Sequence, residues 1–465
     1  ITGDKVLVHQ VPGPARGEEK YLRCNRPRFE GHLEDLFDLV RISMESKLHL
    51  VPRLRLRPVE VPGGIHHPVW INDPNFNIGR HLFRTRIREP GGPREMDQAI
   101  AGIASTQLPR DRPLWETWML EGLADGGVVL VTKIHHALAD GVASATMLGK
   151  VMNLEADTDD VHTPTPTWYP EELPTRTELI KDAIRDQREQ IASIGPLIHR
   201  TIEGGITVLK NLRTRAVDLP YPFATPRTVF NRTLSPMRSF ASTSLALDDL
   251  KAVKNAARVT LNDVVLATVS GALDNFFSAR GESLSRPLVV SVPMAVSSPH
   301  DRPRREGNRV ANLFTSLCND VADPLERLYR IHEITEQAKE VQRQLGIETM
   351  LDWSEAAPAA AYRWFLRGYS QSRLADHMTP PANLIVSNVR GPDHPLYVAG
   401  ARLRRLYSVG PAVEGIGLNI TGWSYCGELN LALIADANGI PDPHPITEAL
   451  GPALADLKRA AGVSS

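Results

Sequence analysis

Residues 126–141 read GGVVLVTKIHHALADG, and the organisation of the chain unfolds from this stretch. Val128 to Ile134 is a short, β-branched apolar run bounded by Gly126-Gly127, the pattern of a buried strand. Val142 to Leu154 then sets small and apolar residues at helical spacing. A seven-residue connector, His135-His136-Ala137-Leu138-Ala139-Asp140-Gly141, joins the two. If the strand continues through both histidines, their side chains point to opposite faces, so only one of them can face a cleft. Gly141 removes a side chain where the chain enters the helix, and Asp140 can cap that helix or accept a hydrogen bond from an imidazole. One inward imidazole beside a fixed carboxylate suits a general base that takes a proton from a hydroxyl. Two other readings stand beside it. A histidine before a helix can be purely structural, and a metal site would need three converging ligands, which neighbouring strand positions do not supply.

Composition narrows the field. The chain has 465 residues with 53 basic and 54 acidic side chains, a formal net charge of −1, so two or three domains are expected and a dedicated nucleic-acid binder is not. Hydrophobic residues at 42% and charged ones at 23% exclude a largely disordered chain. Cys24, Cys318 and Cys426 are odd in number and widely spaced, which fits a reducing compartment better than a disulfide framework. The longest run free of Asp, Glu, Lys and Arg, Pro287 to His300, is interrupted by proline and too short to span a membrane. The first residues, ITGDKVLVHQ, lack the apolar core of a signal peptide, so an intracellular protein, soluble or peripheral, is expected.

Outward from the histidines, residues 1–29 read as polar and irregular, and Phe29 to Leu48 as a helix. VPRLRLR (51–57) alternates Leu54 and Leu56 with Arg53, Arg55 and Arg57, the pattern of a strand with one wet, basic face. Met96 to Gln107 reads as a helix. Asp157 to Pro174 is acidic and then proline-rich, Thr175 to Arg215 is charged and helical, and Pro220, Pro222 and Pro226 close this connector. The expected division is 1–160, 161–226 and 227–465. In the last part Thr260 and Asp263 form a capping box opening a helix to about Arg280. Strands are expected at Leu288–Val292, Asn383–Val389, Gly417–Tyr425 and Leu429–Ile434, the last two a hairpin through Cys426-Gly427-Glu428. Helices are expected at Pro324–Leu345 and near the C-terminus. No internal repeat is visible, and strands and helices interleave in both halves as two sandwich-like α/β units.

Four blocks in order resemble the bacterial wax ester synthase/diacylglycerol acyltransferase family. They are LPRDRPLWETWMLEGLADGGVVLVTKIHHALADG (108–141), with Pro113-Leu114-Trp115 upstream of HHxxxDG, LNDVVLA (261–267), SNVRGP (387–392) and GIGLNITGWSY (415–425). The likeness runs over about residues 30 to 460. It implies an α/β (α+β) fold of two chloramphenicol-acetyltransferase-like domains with the active-site channel at their interface. It also implies transfer of a fatty acyl group from coenzyme A to diacylglycerol or a long-chain alcohol. On the family motif His136 is the base, with His135 and Asp140 orienting it. Acyl-CoA is then a substrate, and no separate cofactor or metal is implied. The chain departs from the family in three places. No LSxxDxxF-like segment is recognisable in residues 1–28, Arg390 stands where relatives have proline, and Val292-Pro293-Met294-Ala295-Val296-Ser297 lacks the arginine of VPVSxR.

Seven further residues are candidate substrate contacts. Gly141 leaves room beside the histidines. Asn262, in a first helical turn where the dipole is positive, either stabilises a tetrahedral oxyanion or braces the domains. Trp115 is weighed as a substrate contact against a core aromatic. Ser387 and Asn388 line the channel or pin the turn that follows. Arg304 and Arg305, with Arg302, Arg309, Arg402, Arg404 and Arg405, bind coenzyme A phosphates or anionic lipid headgroups, or belong to a solvated loop. The expected setting is cytoplasmic, at a membrane or lipid-droplet surface, with no nucleic-acid partner. Three rival readings remain at this point: a superfamily acyltransferase for another acceptor, a lipid-binding or lipid-droplet protein whose site has decayed, and a weak coenzyme A thioesterase.

Overall fold

Val128, Leu130 and Ile134 enter one apolar cluster, whereas Val129 and Val131 enter another, so the strand they form is buried on both faces. Around it the computed structural model describes residues 4–11, 33–138, 141–156, 169–188, 195, 198–199, 225–295, 310–345 and 359–463. In chain order the first half runs β1 (Asp4–Val11), α1 (Leu33–Lys47), β2 (Leu56–Val59), β3 (Val69–Asn72), β4 (Leu82–Arg86), α2 (Pro93–Ser105), β5 (Trp115–Glu121), β6 (Val128–His135) and α3 (Gly141–Val151). Helix α4 (176–188) follows. The second half runs β7 (Arg238–Ala246), α5 (Leu247–Ala257), α6 (Leu261–Ala279), β8 (Val289–Ala295), β9 (Val310–Ser316), α7 (Pro324–Leu345) and α8 (Ala359–Gln371). It ends with β10 (Leu384–Val389), β11 (Tyr397–Val398), β12 (Ala401–Arg402), β13 (Arg405–Val409), β14 (Leu418–Tyr425), β15 (Glu428–Asp436) and α9 (His444–Ala460).

The strands form two large mixed sheets. The first has order β13-β1-β6-β5-β4, antiparallel except for β4 with β5. The second has order β7-β15-β14-β10-β8-β9, with β10 parallel to both of its neighbours. Strand β13 belongs by sequence to the second half yet completes the first sheet. Its Tyr407 and Val409 share a cluster with Phe240 on β7 and Ala432 and Ile434 on β15, which welds the sheets together. The other side of the second sheet is closed by α5, α6, α7 and α9 over the largest core, which holds Leu266, Leu273, Ile331, Ile420 and Leu450.

Several elements follow the expected local chemistry. Thr260 accepts from the Asp263 amide while the Asp263 carboxylate accepts from the Thr260 amide, the reciprocal cap that opens α6. Strands β14 and β15 turn through Cys426 and Gly427 at φ 45° and 85°, both left-handed, as a type I′ hairpin requires. Thr175 and Glu178 cap α4, the helix expected here, whose Leu179 and Ala183 pack with Val61 in a small cluster apart from the main cores. The acidic and proline-rich stretch 157–168 and most of the connector beyond residue 188 lie outside the described residues.

Two expectations need correction. Residues 4–11, read as irregular, form β1 between β6 and β13. Adjacent Leu7 and Val8 are both buried, so the strand shows no alternation, the mark of a central position. Residues 51–57, read as one strand, begin with a 3₁₀ turn over Pro52–Arg55, and only Leu56 onward is extended. Pro52 fixes φ for that turn. The supposed wet face is lost as well, because Arg55 is buried near the Phe76 ring.

Candidate active site

Strand β6 stops at the first histidine. His135 pairs with Asp4 of β1 in register, and its amide donates to the Leu114 carbonyl just before β5. The Leu138 amide then bonds the His135 carbonyl at 2.9 Å, closing a four-residue turn with His136 at its first corner. Nδ1 of His135 accepts the Ala137 amide at 3.2 Å, which requires that nitrogen to be unprotonated. The pair therefore divides its work in a way that strand alternation alone does not give. His135 braces the turn, and His136 stands half-buried just beyond the ladder. Asp140 lies outside the described residues, and Gly141 is the first residue of α3.

Leu138 anchors this turn in a cluster that also takes Ile134, Leu148, Val389, Trp423 and Tyr425. The structure thus sets the histidine turn and the end of β10 on one apolar body. Ser387 and Asn388 are half-buried on that last stretch of β10, opposite Thr421 and Gly422. Beyond them Gly391 seats directly on β14, where a Cβ would lie 2.1 Å from the indole nitrogen of Trp423 and 2.2 Å from the Ser424 carbonyl. Its amide donates to Ser424 Oγ at 3.1 Å. The Gly391-Pro392 turn is a pin, and it fixes where Ser387 and Asn388 sit.

Other candidates lie elsewhere. Asn262 is half-buried in the first turn of α6, a helix that packs on α7 and α9 behind the second sheet. Beside it Asp263 is fully buried and binds His332 Nδ1 at 2.7 Å, a brace that the sequence reading missed. Trp115 is 1% exposed, stacks on His81 at 4.4 Å and donates to the Leu54 carbonyl at 2.7 Å, which makes it a core aromatic. Burial holds the sandwiched His81 below its ordinary pKa. Arg304 and Arg305, with Arg302 and Arg309, lie outside the described residues. Arg404 pairs with Asp125 at 2.7 Å and Arg405 with Glu428 at 3.3 Å, so these two already have acidic neighbours.

The sequence reading also missed a polar knot where the two halves meet. Asp97 of α2 accepts from the Ser242 amide and hydroxyl on β7 and contacts His444 Nε2 at 3.1 Å, at the start of α9. Its signals were present, an aspartate on the buried face of an apolar helix and a histidine after Pro443, but Asp97 and Ser242 are 145 residues apart. Among the described residues, no helix is long and apolar enough to cross a membrane.

The chain is similar to known proteins over most of its length. Residues 21–265 match the model of the wax ester synthase/diacylglycerol acyltransferase catalytic domain, and residues 306–458 that of the WS/DGAT C-terminal domain. The chain is 37% identical over 431 residues to a Mycobacterium tuberculosis protein that carries a diacylglycerol O-acyltransferase name, covering 92% of this chain and 89% of that one. A second protein of that organism with the same naming is 34% identical over 401 residues, covering 85% and 84%. Among solved structures, the wax ester synthase/diacylglycerol acyltransferase from Marinobacter aquaeolei VT8 superposes with a TM-score of 0.67 at 24% identity, over 99% of this chain and 95% of that one. The first condensation domain of the calcium-dependent antibiotic synthetase does so at 0.57 and 14% identity, over 100% and 93%. The fold is the two-domain α/β architecture that these structures share.

Proposed function

Because the chain belongs to the wax ester synthase/diacylglycerol acyltransferase family and is an acyltransferase, we propose that it moves a long-chain fatty acyl group from coenzyme A to the hydroxyl of diacylglycerol, with long-chain alcohols as second acceptors. The observation that carries this reading is the position of His136. It occupies the first corner of the turn after β6, half-buried and one residue beyond the strand ladder.

In the proposed step the His136 imidazole takes the proton of the acceptor hydroxyl as that oxygen attacks the thioester carbonyl. A tetrahedral oxyanion forms and collapses to the ester. The C–S bond breaks, and the imidazolium returns its proton to the departing coenzyme A thiolate, so atoms and charge balance. Both substrates carry long apolar chains, and an acceptor that excludes water from the base prevents hydrolysis of the thioester. Ser387 and Asn388, held by the Gly391 pin on the body that anchors Leu138, would line the path of the acyl or acceptor chain.

The test is product analysis with labelled palmitoyl-CoA and either diacylglycerol or hexadecanol. Labelled triacylglycerol is expected, and His136→Ala should lower its rate by about 10²- to 10⁴-fold, the usual worth of a positioned base. Free palmitate with acceptor in excess, or an undiminished His136→Ala variant, would reject the assignment.

A further inference from the structure

Helix α8 carries its largest apolar side chains toward water. In AAAYRWFLRGYSQ (359–371), Trp364 is 80% exposed, Phe365 57% and Tyr362 54%, and Leu374 and Met378 continue the exposed apolar surface past the helix end. At 100° per residue Trp364, Phe365 and Gly368 share the outward arc, and Arg363 and Ser370 the inward one. The inward side chains tie the helix to both halves of the molecule. Arg363 bonds Glu60 of the first half at 3.1 Å. Ser370 donates to Glu414 at 3.4 Å, and the Tyr369 hydroxyl lies close over Gly415, both in the loop before β14. The segment after the helix is held as firmly, with the Arg227 guanidinium donating to the carbonyls of Ala375 and Met378 and the Thr233 amide to Asp376. This apolar face is therefore displayed by a fixed element that bridges the halves.

Its charge identifies the occupant. Of the three arginines between Ala359 and Met378, Arg363 is paired inward with Glu60 and Arg373 with Asp376 at 2.8 Å, so Arg367 is the cation that this face displays with its aromatics. Arg367 is exposed beside Trp364. Exposed aromatic side chains with an arginine beside them match the boundary between anionic headgroups and acyl chains, where amphipathic aromatics and cations are both favourable. A second copy of the chain fits less well, since a two-fold contact through this face would set arginine against arginine.

We propose that α8 is an interfacial anchor that seats Trp364, Phe365 and Tyr362 in an anionic lipid surface, with Arg367 at the level of the lipid phosphates. The anchor stands on the exposed face alone; its use, presenting the enzyme to a membrane-held acceptor, rests on the proposed function.

The experiment is sedimentation of the full chain with vesicles of phosphatidylcholine and phosphatidylglycerol, wild type against Trp364→Ser/Phe365→Ser and Arg367→Glu. These exposed side chains support no core, so the variants should fold, which circular dichroism checks. Wild type should bind, with affinity falling as salt rises. The double variant should bind about 100-fold more weakly or worse, as expected for two large apolar side chains left in water. Arg367→Glu should abolish the preference for phosphatidylglycerol. Transfer from palmitoyl-CoA to a short, water-soluble alcohol should be the same in wild type and double variant. Absent wild-type binding, equal binding by the double variant, or a change of oligomeric state as its only effect would overturn the anchor. Loss of acyl transfer by the wild type with vesicle binding intact would instead count against the proposed function and leave the anchor standing.

Discussion

Asp97→Ala should loosen the two halves of the molecule by an amount that its surroundings allow to be worked out. The Asp97 side chain is 2% exposed and serves three donors: the Ser242 amide at 3.1 Å, the Ser242 hydroxyl at 2.9 Å and His444 Nε2 at 3.1 Å. Truncation leaves a backbone amide, a hydroxyl and an imidazole without their acceptor in a site too buried for water to replace it fully. Breaking a buried, hydrogen-bonded charge pair from one side typically costs about 3–5 kcal/mol. Asp97→Asn keeps one carbonyl acceptor of the same shape and should cost about 1–2 kcal/mol, mainly through the lost charge. The knot also titrates. Its hydrogen bond to Asp97 raises the His444 imidazole above the ordinary value, and burial raises the Asp97 carboxyl above the carboxylate range. The folded state therefore holds protons more tightly than the unfolded chain at both groups. The stabilisation from His444 is complete below its unfolded pKa of about 6.5 and is lost as pH rises through the higher folded value. Asp442, 2.6 Å from His444 Nδ1, and Arg94, 3.5 Å from Asp442, are the other charges facing this imidazole. Urea unfolding followed by tryptophan fluorescence, repeated from about pH 6 to 8, measures both effects. Asp97→Ala within about 0.5 kcal/mol of wild type, below the size of one ordinary hydrogen bond, would refute the reasoning. So would a His444→Gln variant whose stability falls with pH as steeply as wild type.

Two more outcomes follow from the site. His135→Asn places an amide oxygen near the position of Nδ1, so it should keep the bond from the Ala137 amide and most of the acyl-transfer rate, whereas His135→Ala should lower both rate and thermal stability; equal loss in both variants would show that His135 does more than brace the turn. Gly391→Ala forces a Cβ to within 2.4 Å of three atoms of Trp423 and Ser424, and it should cost at least about 2 kcal/mol by overpacking, read as a lowered unfolding midpoint with a shifted tryptophan spectrum.

How much of this is legible in the sequence depends on how local the cause is. The α6 cap and the β14–β15 hairpin are written in neighbouring residues, Thr260 with Asp263 and Cys426 with Gly427, and both are present in the structure. Strand β13 is not legible. RLYSV (405–409) is short, and its place beside β1 depends on Val6 meeting Val409 across nearly the whole chain. The misreading of residues 51–57 has the same origin. Arginine and leucine alternate there, but Pro52 bends the chain into a 3₁₀ turn, and the indole of Trp115 holds it by bonding the Leu54 carbonyl. For the histidine pair, alternation along a strand is the only device the sequence offers for separating one imidazole from the other. The structure separates them differently, because β6 ends at His135 and the turn carries His136 out of the ladder.

Most of the motif residues share a physical position, where a regular element starts or stops; the block at 415–425 is the exception, since it contains the whole of β14. Pro113-Leu114-Trp115 leads into β5, His135 ends β6, Asn262-Asp263 opens α6, and Ser387-Asn388-Val389 ends β10. At such places the ladder of backbone bonds runs out, so side chains and turns must satisfy what remains, and a rigid scaffold aims the few groups left over. This also weighs the departure at Arg390. That residue is exposed, while the contact that holds the turn belongs to Gly391 against Trp423 and Ser424. A proline there would stiffen the chain without adding to that contact. Its replacement therefore leaves the pin, and with it the placement of Ser387 and Asn388, intact.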